Sequence, residues 1–268
     1  MSVHYRTQGF ILKKIDLREA DQLLTFYTKD FGRLEILGKA IRKIKSKLRA
    51  GAELFYLSDI EFIQGKTHKT LTDAITIEKF KNIRTCSPRS QNLDSLRSSS
   101  YSLELRNDLE RLKIAYQIAE VADILIKGQE KDEKIWDLIN EVFNRLDNWK
   151  LEIENCKLKI IYYYFLWNLS SILGYQIDLY NCSFCQKKLF PEKLYFNPKE
   201  GGIICLDCFK KEKNRDRSIF LISPEVIKIF RLFLDKNWMI LSKLKIGQKQ
   251  RKELEEVSRS YIDGIINK

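Results

Sequence analysis

Histidine is nearly missing from this chain: His4 and His68 are the only two in 268 residues. Neither stands in a His-Glu-x-x-His pattern, so the helix-borne zinc hydrolase arrangement is excluded. A nucleotide-binding P-loop is missing as well. Gly65-Lys66-Thr67 looks like the tail of one, but the motif needs a glycine five residues before its second glycine, and Ile60 stands there. The run reads as a hairpin turn. No apolar signal segment stands at the N-terminus, so a secreted, disulfide-bonded chain is not expected. Long apolar runs are lacking too. The one charge-free stretch, residues 160–177, is eighteen residues long, at the lower edge of a membrane span. Asn168, Ser170, Ser171, Gly174, Gln176 and three tyrosines from Tyr162 make it too polar for lipid, and a buried helix is expected there instead. There is no internal repeat. Nothing singles out a catalytic pair among the 36 acids, and an enzyme is not expected.

Cysteine is sparse but patterned. Four of the six are Cys182-x-x-Cys185 and Cys205-x-x-Cys208, two knuckles whose thiolates can close around one tetrahedral zinc ion. Four thiolates fill the coordination shell, so the expected site is structural, with no open position for an activated water. The remaining two, Cys86 and Cys156, have no such spacing.

Hydrophobic residues make up 44% of the chain, enough for a conventional core, and the formal net charge is +12. That excess favours an anionic partner such as nucleic acid, an acidic tail or a membrane surface. It is unevenly spread. Residues 1–80 carry 15 Lys+Arg against 10 Asp+Glu, residues 81–180 carry 14 against 15, and residues 181–268 carry 19 against 11. The middle is neutral and both ends are basic.

The first eighty residues read as five short strands at 8–15, 22–28, 33–37, 54–64 and 69–78, with turns at Asp30-Phe31-Gly32 and Gly65-Lys66. Ile60 and Phe62 alternate with Asp59 and Glu61, the pattern of a half-buried strand. Five strands in so small a domain predict a closed or nearly closed barrel. Pro88 and seven serines then mark a connection at 85–102. Helical periodicity follows. Asn107, with Glu110 three residues on, is the expected cap of a first helix whose apolar face is Leu109, Leu112, Tyr116, Ala119, Ala122 and Ile126. A second helix starts at Asp132, with Ile135, Leu138, Ile139, Val142, Leu146 and Trp149 on one face. A third spans 153–173 and stops at Gly174. The metal module occupies 178–212. Ser223-Pro224-Glu225 opens another helix carrying Val226, Ile229, Phe230 and Phe233, and residues 248–266 form a last one. The expected domains are residues 1–80, a connection at 81–106, and a helical domain at 107–268 containing the module. The fold class is therefore α+β.

The basic connection between the third and fourth strands holds Lys39, Arg42, Lys43, Lys45, Lys47 and Arg49 in eleven residues without an acid. Beside a small barrel with Phe10, Phe26, Tyr27, Phe31, Phe55 and Tyr56 at hand, such a loop suits a phosphate backbone, with one or two aromatics facing a base and the others in the core. A second cluster, Lys210, Lys211, Lys213, Arg215 and Arg217, follows the last cysteine and extends the cationic footprint.

The order of these parts resembles the RecO family of bacterial recombination mediators over the whole length. The resemblance is carried by Gly9-Phe10-Ile11-Leu12, Arg18-Glu19-Ala20-Asp21, the run from Phe26 to Gly32, and Gly38-Lys39-Ala40-Ile41-Arg42-Lys43. It continues in Tyr164-Phe165-Leu166-Trp167-Asn168-Leu169 and in Phe196-Asn197-Pro198 with Gly201-Gly202 ahead of Cys205. Two departures stand out: the cationic loop has more lysine than the family's arginine-rich one, and Trp167-Asn168 replace what is more often a basic residue and leucine. The resemblance implies an N-terminal OB-fold and a helical domain with an inserted four-cysteine zinc module. It also implies a non-enzymatic, cytoplasmic mediator of DNA repair and recombination. Such a protein binds single- and double-stranded DNA, anneals complementary strands without ATP, and with RecR helps load RecA on strands coated by single-strand-binding protein (SSB). The SSB C-terminal tail would dock on the helical domain. Two competing classes are a zinc-ribbon nuclease or RNA-modifying enzyme and an RNA-binding or transcription-associated adaptor.

Overall fold

The structure, a computed structural model, describes residues 3–80, 83, 99–149, 158–211 and 218–267, the side chains of 99–107 excepted. It divides into two compact units, Met1–Tyr162 and Tyr163–Lys268.

All five expected strands are present in the first unit: β1 (His4–Asp16), β2 (Gln22–Thr28), β3 (Gly32–Gly38), β4 (Leu57–Gln64) and β5 (Lys69–Glu78). They close into a barrel in the order β1-β2-β3-β5-β4, with β4 returning to β1 and β3 running parallel to β5. This is the five-stranded OB architecture. Alternation sends Ile11, Leu24, Phe26, Leu34, Ile36, Ile60, Phe62 and Leu71 into the barrel, where they form one buried cluster with Ile41, Ala52 and Ala74. The outer face of β1 and β2 is covered too. Phe10, on β1, stacks at 5.7 Å on Phe143 and lies 5.2 Å from Trp136, and the Tyr27 hydroxyl donates to the Asp132 carbonyl at 3.1 Å. Both rings come from α3 (Glu133–Asn148), which begins where expected, with the Asp132 carboxylate accepting from the amides of Lys134 and Ile135.

The first helix departs from expectation. α2 runs Ser99–Leu125, so Asn107 lies inside it and residues 99–102 are its first turn. The rest of the expected connection, 85–98, lies outside the described residues. No glycine or proline separates Pro88 from Gly128, and a helix without a breaker continues through a mid-sequence cap signal. The buried face agrees with expectation in part: Ala119, Ala122 and Ile126 are inside as expected, together with Ile114, Ala115, Ile118 and Val121, while Leu109 and Tyr116 are exposed. The Asp123 carboxylate of α2 accepts from Arg33 at 2.6 Å and from Lys13 at 2.7 Å, joining the helix to β3 and β1. Burial opposes the Asp123 charge, but these two cations hold its pKa below the usual carboxylate value.

Gly32 makes the joint between barrel and helices possible. Its φ is +62°, and a Cβ there would stand 2.2 Å from the Glu130 carbonyl oxygen, between α2 and α3. Gly201 has the same φ with open space around it. Gly32→Ala should therefore destabilise by more than about 3 kcal/mol, and Gly201→Ala by only the ~1–2 kcal/mol of the left-handed backbone. Equal shifts in thermal melting of the two variants would refute the steric part of that account.

The second unit begins at Tyr163 within α4 (Leu158–Ile172), a helix that ends as expected at Gly174, φ +88°. Residues 153–157 of the expected helix lie outside the described residues. Trp167 and Asn168 are both core: the Trp167 ring stacks between Phe230 and Tyr261, its indole N–H donates to Ser258, and the Asn168 amide donates to the carbonyls of Tyr164 and Phe233. Phe230 and Phe233 belong to α6 (Pro224–Leu234), and Ser258 and Tyr261 to α8 (Gln248–Ile266). A short turn, α7 (Trp238–Leu241), lies between them. A three-stranded sheet of β6 (Leu194–Asn197), β7 (Gly202–Cys205) and β8 (Phe220–Ile222), in the order β7-β6-β8, carries the cysteine module. None of the described helices is long and apolar enough to cross a membrane.

Candidate functional site

The loop from β3 to β4 projects cations from a fixed backbone. It contains one short helix, α1 (Leu48–Gly51). Ile41 on one side and Leu48 on the other pack into the barrel core. Between these anchors the chain turns on itself, with Lys43 N–H donating to Ala40 O at 3.1 Å and Ser46 N–H to Lys43 O at 2.9 Å. The Asp21 carboxylate accepts from the Ala40 amide at 2.7 Å, and the Arg42 amide donates to the Ala20 carbonyl at 3.1 Å. At the far end Gly51 lies so close to β5 that a Cβ would stand 1.9 Å from the Ala74 carbonyl. Ser58 and Thr76 hydroxyls donate to the carbonyls of Gly51 and Ala50.

With Ile41 and Leu48 turned inward, Lys39, Arg42, Lys43, Lys45, Lys47 and Arg49 are all exposed. Arg42 meets Asp16 at 3.3 Å, both of them substantially exposed, and such a surface pair holds its partners weakly. The Arg42 guanidinium also donates to the Arg18 carbonyl at 3.4 Å, which brings exposed Arg18 beside the loop. Arg18 is a cation that spacing alone does not place there, because it lies in a different turn. The aromatics sort differently from the cations. Phe10, Phe26, Tyr27 and Phe55 are at most 1% exposed, so among the six considered Phe31, packed on the barrel core, and Tyr56, with Lys79 over its ring at 5.8 Å, are left half-buried. The second cluster is described only in part. Lys210 and Lys211 are exposed at the end of α5 (Leu206–Lys211), while Lys213, Arg215 and Arg217 lie outside the described residues.

The four cysteines of the two knuckles converge. Cys182, Cys185, Cys205 and Cys208 place their sulfurs within 4.8 Å of one another, with Cys185 Sγ and Cys205 Sγ at 3.9 Å. A tetrahedral ion bound by thiolates at about 2.3 Å spaces them ~3.8 Å apart, so the set fits a single metal ion. The first knuckle is a tight turn: Cys182 N–H donates to Lys187 O, Gln186 N–H donates to Cys182 O, and Gln186 takes φ 58°. Ser183 N–H donates to Ile203 O, tying that turn to β7, and Gly202 leaves room for it, since a Cβ would stand 2.6 Å from that of Ser183. Burial opposes ionisation of Cys182, but amide N–H groups of Cys185, Cys205 and Phe184 pointing at its sulfur lower its pKa to about 7. Burial pushes Cys208 up to about 12, and the neighbouring sulfurs push the same way. The Cys182 thiolate is thus prepared by the backbone, while Cys205 and Cys208 favour ionisation only beside a cation. Cys86 and Cys156 lie outside the described residues.

Two family models match this chain, and the second begins within the first compact unit. Residues 1–80 match the family model described as Recombination protein O N terminal, and residues 106–267 match Recombination protein O C terminal. A protein of Dehalococcoides mccartyi named DNA repair protein RecO is 29% identical over 264 residues, covering 98% of this chain and 91% of its own. Proteins of the same name from Moorella thermoacetica and Roseiflexus sp. are 26% and 25% identical, each across 98% of this chain and 87% and 82% of their own.

Proposed function

This chain belongs to the RecO family, and on that premise we propose that it is a DNA repair protein that binds strands through the β3–β4 loop and pairs complementary ones without nucleotide hydrolysis. The observation that carries this reading is the loop itself: six exposed cations on a backbone pinned to the core of an OB barrel. Two complementary strands repel through their phosphates, and a surface that neutralises both lowers the barrier to pairing. Contacts made to phosphate carry no base information, so little sequence preference is expected.

The remaining roles follow the family. Lys39, Arg42, Lys43, Lys45, Lys47 and Arg49 hold the backbone of single or double strands, and Lys210, Lys211, Lys213, Arg215 and Arg217 add to the same field. The four cysteines hold one zinc ion, which organises the β6–β7 module and takes no part in a reaction, so the protein is not an enzyme. RecR is its partner in loading RecA on SSB-coated strands, and the acidic, apolar SSB tail docks on the second unit, where basic residues beside apolar surface are required. Trp167 and Asn168 are buried and take no part in that docking. The protein acts in the cytoplasm, at the nucleoid.

The test is to mix the purified protein with complementary oligonucleotides in the absence of ATP. Faster duplex formation is the expected result. Strand cleavage would indicate an enzyme instead, and preference for RNA without pairing would indicate an adaptor.

A further inference from the structure

The barrel offers cations in abundance but almost no ring for a base to lie on. OB barrels that bind single strands combine a charged groove with aromatic stacking, and here Phe10, Phe26, Tyr27 and Phe55 are buried, with Phe31 on the barrel core. Phe31 and Tyr56 are only half-buried, and an exposed aliphatic side chain would add to the little apolar contact those two rings offer a base. Ile44 is 89% exposed, the most exposed large hydrophobic residue among those described. Lone surface isoleucines are ordinary, but the setting of this one is not. Arg42, Lys43, Lys45 and Lys47 flank it, all exposed. From Ile36 to Ala52 there is no acid. Ile41 and Leu48 anchor both ends of the turn in the core, and the hydrogen bonds from Lys43 and Ser46 fix the backbone on either side. Ile44 is therefore held out at the tip of the turn, and β-branching stiffens its χ1, so little side-chain freedom is lost on insertion.

We propose that Ile44 is a wedge that enters a base step while the neighbouring cations grip the phosphates on either side. The chemistry selects the occupant. A protruding aliphatic knob needs a slot with apolar walls and anionic edges, and consecutive bases, ~3.4 Å apart when stacked, supply both when they part. An acidic peptide would need the reverse, a pocket for its own apolar side chain, and one projecting isoleucine offers none. Unstacking at the bound step also suits strand pairing, because it leaves base edges free of their stacked conformation.

This inference rests on the reading of the loop as a strand-binding surface, and the experiment separates the two. Oligonucleotides, single-stranded and duplex, carry aminopurine, a base analogue whose fluorescence rises on unstacking. The wild-type protein should raise it severalfold at saturation. Ile44→Leu should retain the rise. Ile44→Lys should abolish it while binding as tightly as wild type or more so, since a cation has been added. At this exposure neither change should move the melting temperature. If Ile44→Lys still gives the full rise, or the wild type binds with no rise, the wedge is wrong although the loop still binds. If the wild type binds no oligonucleotide, both readings fall. Loss of binding to an acidic, apolar peptide in Ile44→Lys, with the fluorescence rise intact, would assign the side chain to a protein partner and overturn the proposal.

Discussion

Replacing Lys39, Arg42, Lys43, Lys45, Lys47 and Arg49 together by alanine should weaken binding of a single-stranded oligonucleotide about a hundredfold or more at moderate salt, and flatten its salt dependence. The effect is electrostatic. Each phosphate contact releases condensed counterions, and for single strands the slope of log affinity against log salt changes by ~0.7 per contact, so six contacts account for about 4. Arg42 is partly engaged by Asp16 and contributes least. The fold should survive, because none of the six belongs to the buried cluster and the loop is held by Ile41, Leu48, Asp21 and Ser58. Fluorescence anisotropy across a salt series reads both quantities. A variant of unchanged slope would remove this loop from the interface, whatever its affinity. Loss of affinity with an altered circular dichroism spectrum would instead mean that the loop had been misjudged as dispensable to the barrel.

That loop also shows where sequence reasoning succeeds and where it stops. The strands were legible because alternation and turn residues are local: β2 and β5 begin and end where the pattern puts them, and β1 and β4 differ by four and three residues at their starts. The cations were legible because an acid-free run is visible without a fold. The fate of the aromatics was not. Phe10 and Phe55 could stack on a base or on Phe143, eighty or more residues away, and only the tertiary arrangement decides that both meet Phe143 at 5.7 Å. The same limit hides the Asp123 pairing with Arg33 and Lys13, and the approach of Glu130 to Gly32. In α2 the failure is of another kind. Asn107 and Glu110 fit a capping pattern, but a cap stops nothing by itself, and the helix extends back to Ser99. The cysteine site lies at the opposite extreme, since two knuckles carry their geometry in their spacing and the sulfurs converge as that spacing requires.

Removing the metal, by chelation or by Cys205→Ser, should unfold much of the second unit while the barrel retains its structure. Cys205 ends β7, and its amide donates to Cys182 Sγ at 3.4 Å, so the second knuckle supports the first as well as offering ligands to an ion. Free energies of structural zinc in small modules are of order 10 kcal/mol, comparable to the stability of a whole domain. The four sulfurs without a cation would instead be packed beside one another, with Cys205 and Cys208 pushed toward their protonated forms. Acid should act in the same direction. Metal binding requires thiolates, so affinity falls as pH falls; Cys205 and Cys208 must release protons throughout the neutral range, and below about pH 7 Cys182 must release one as well, which makes the loss steeper there. Hydrogen exchange after chelation should show lost protection in β6, β7 and α5 and unchanged protection in β1 to β5. Equal loss in both would show that the two units do not fold independently, and full protection in both would show that the cysteine cage stands without its ion.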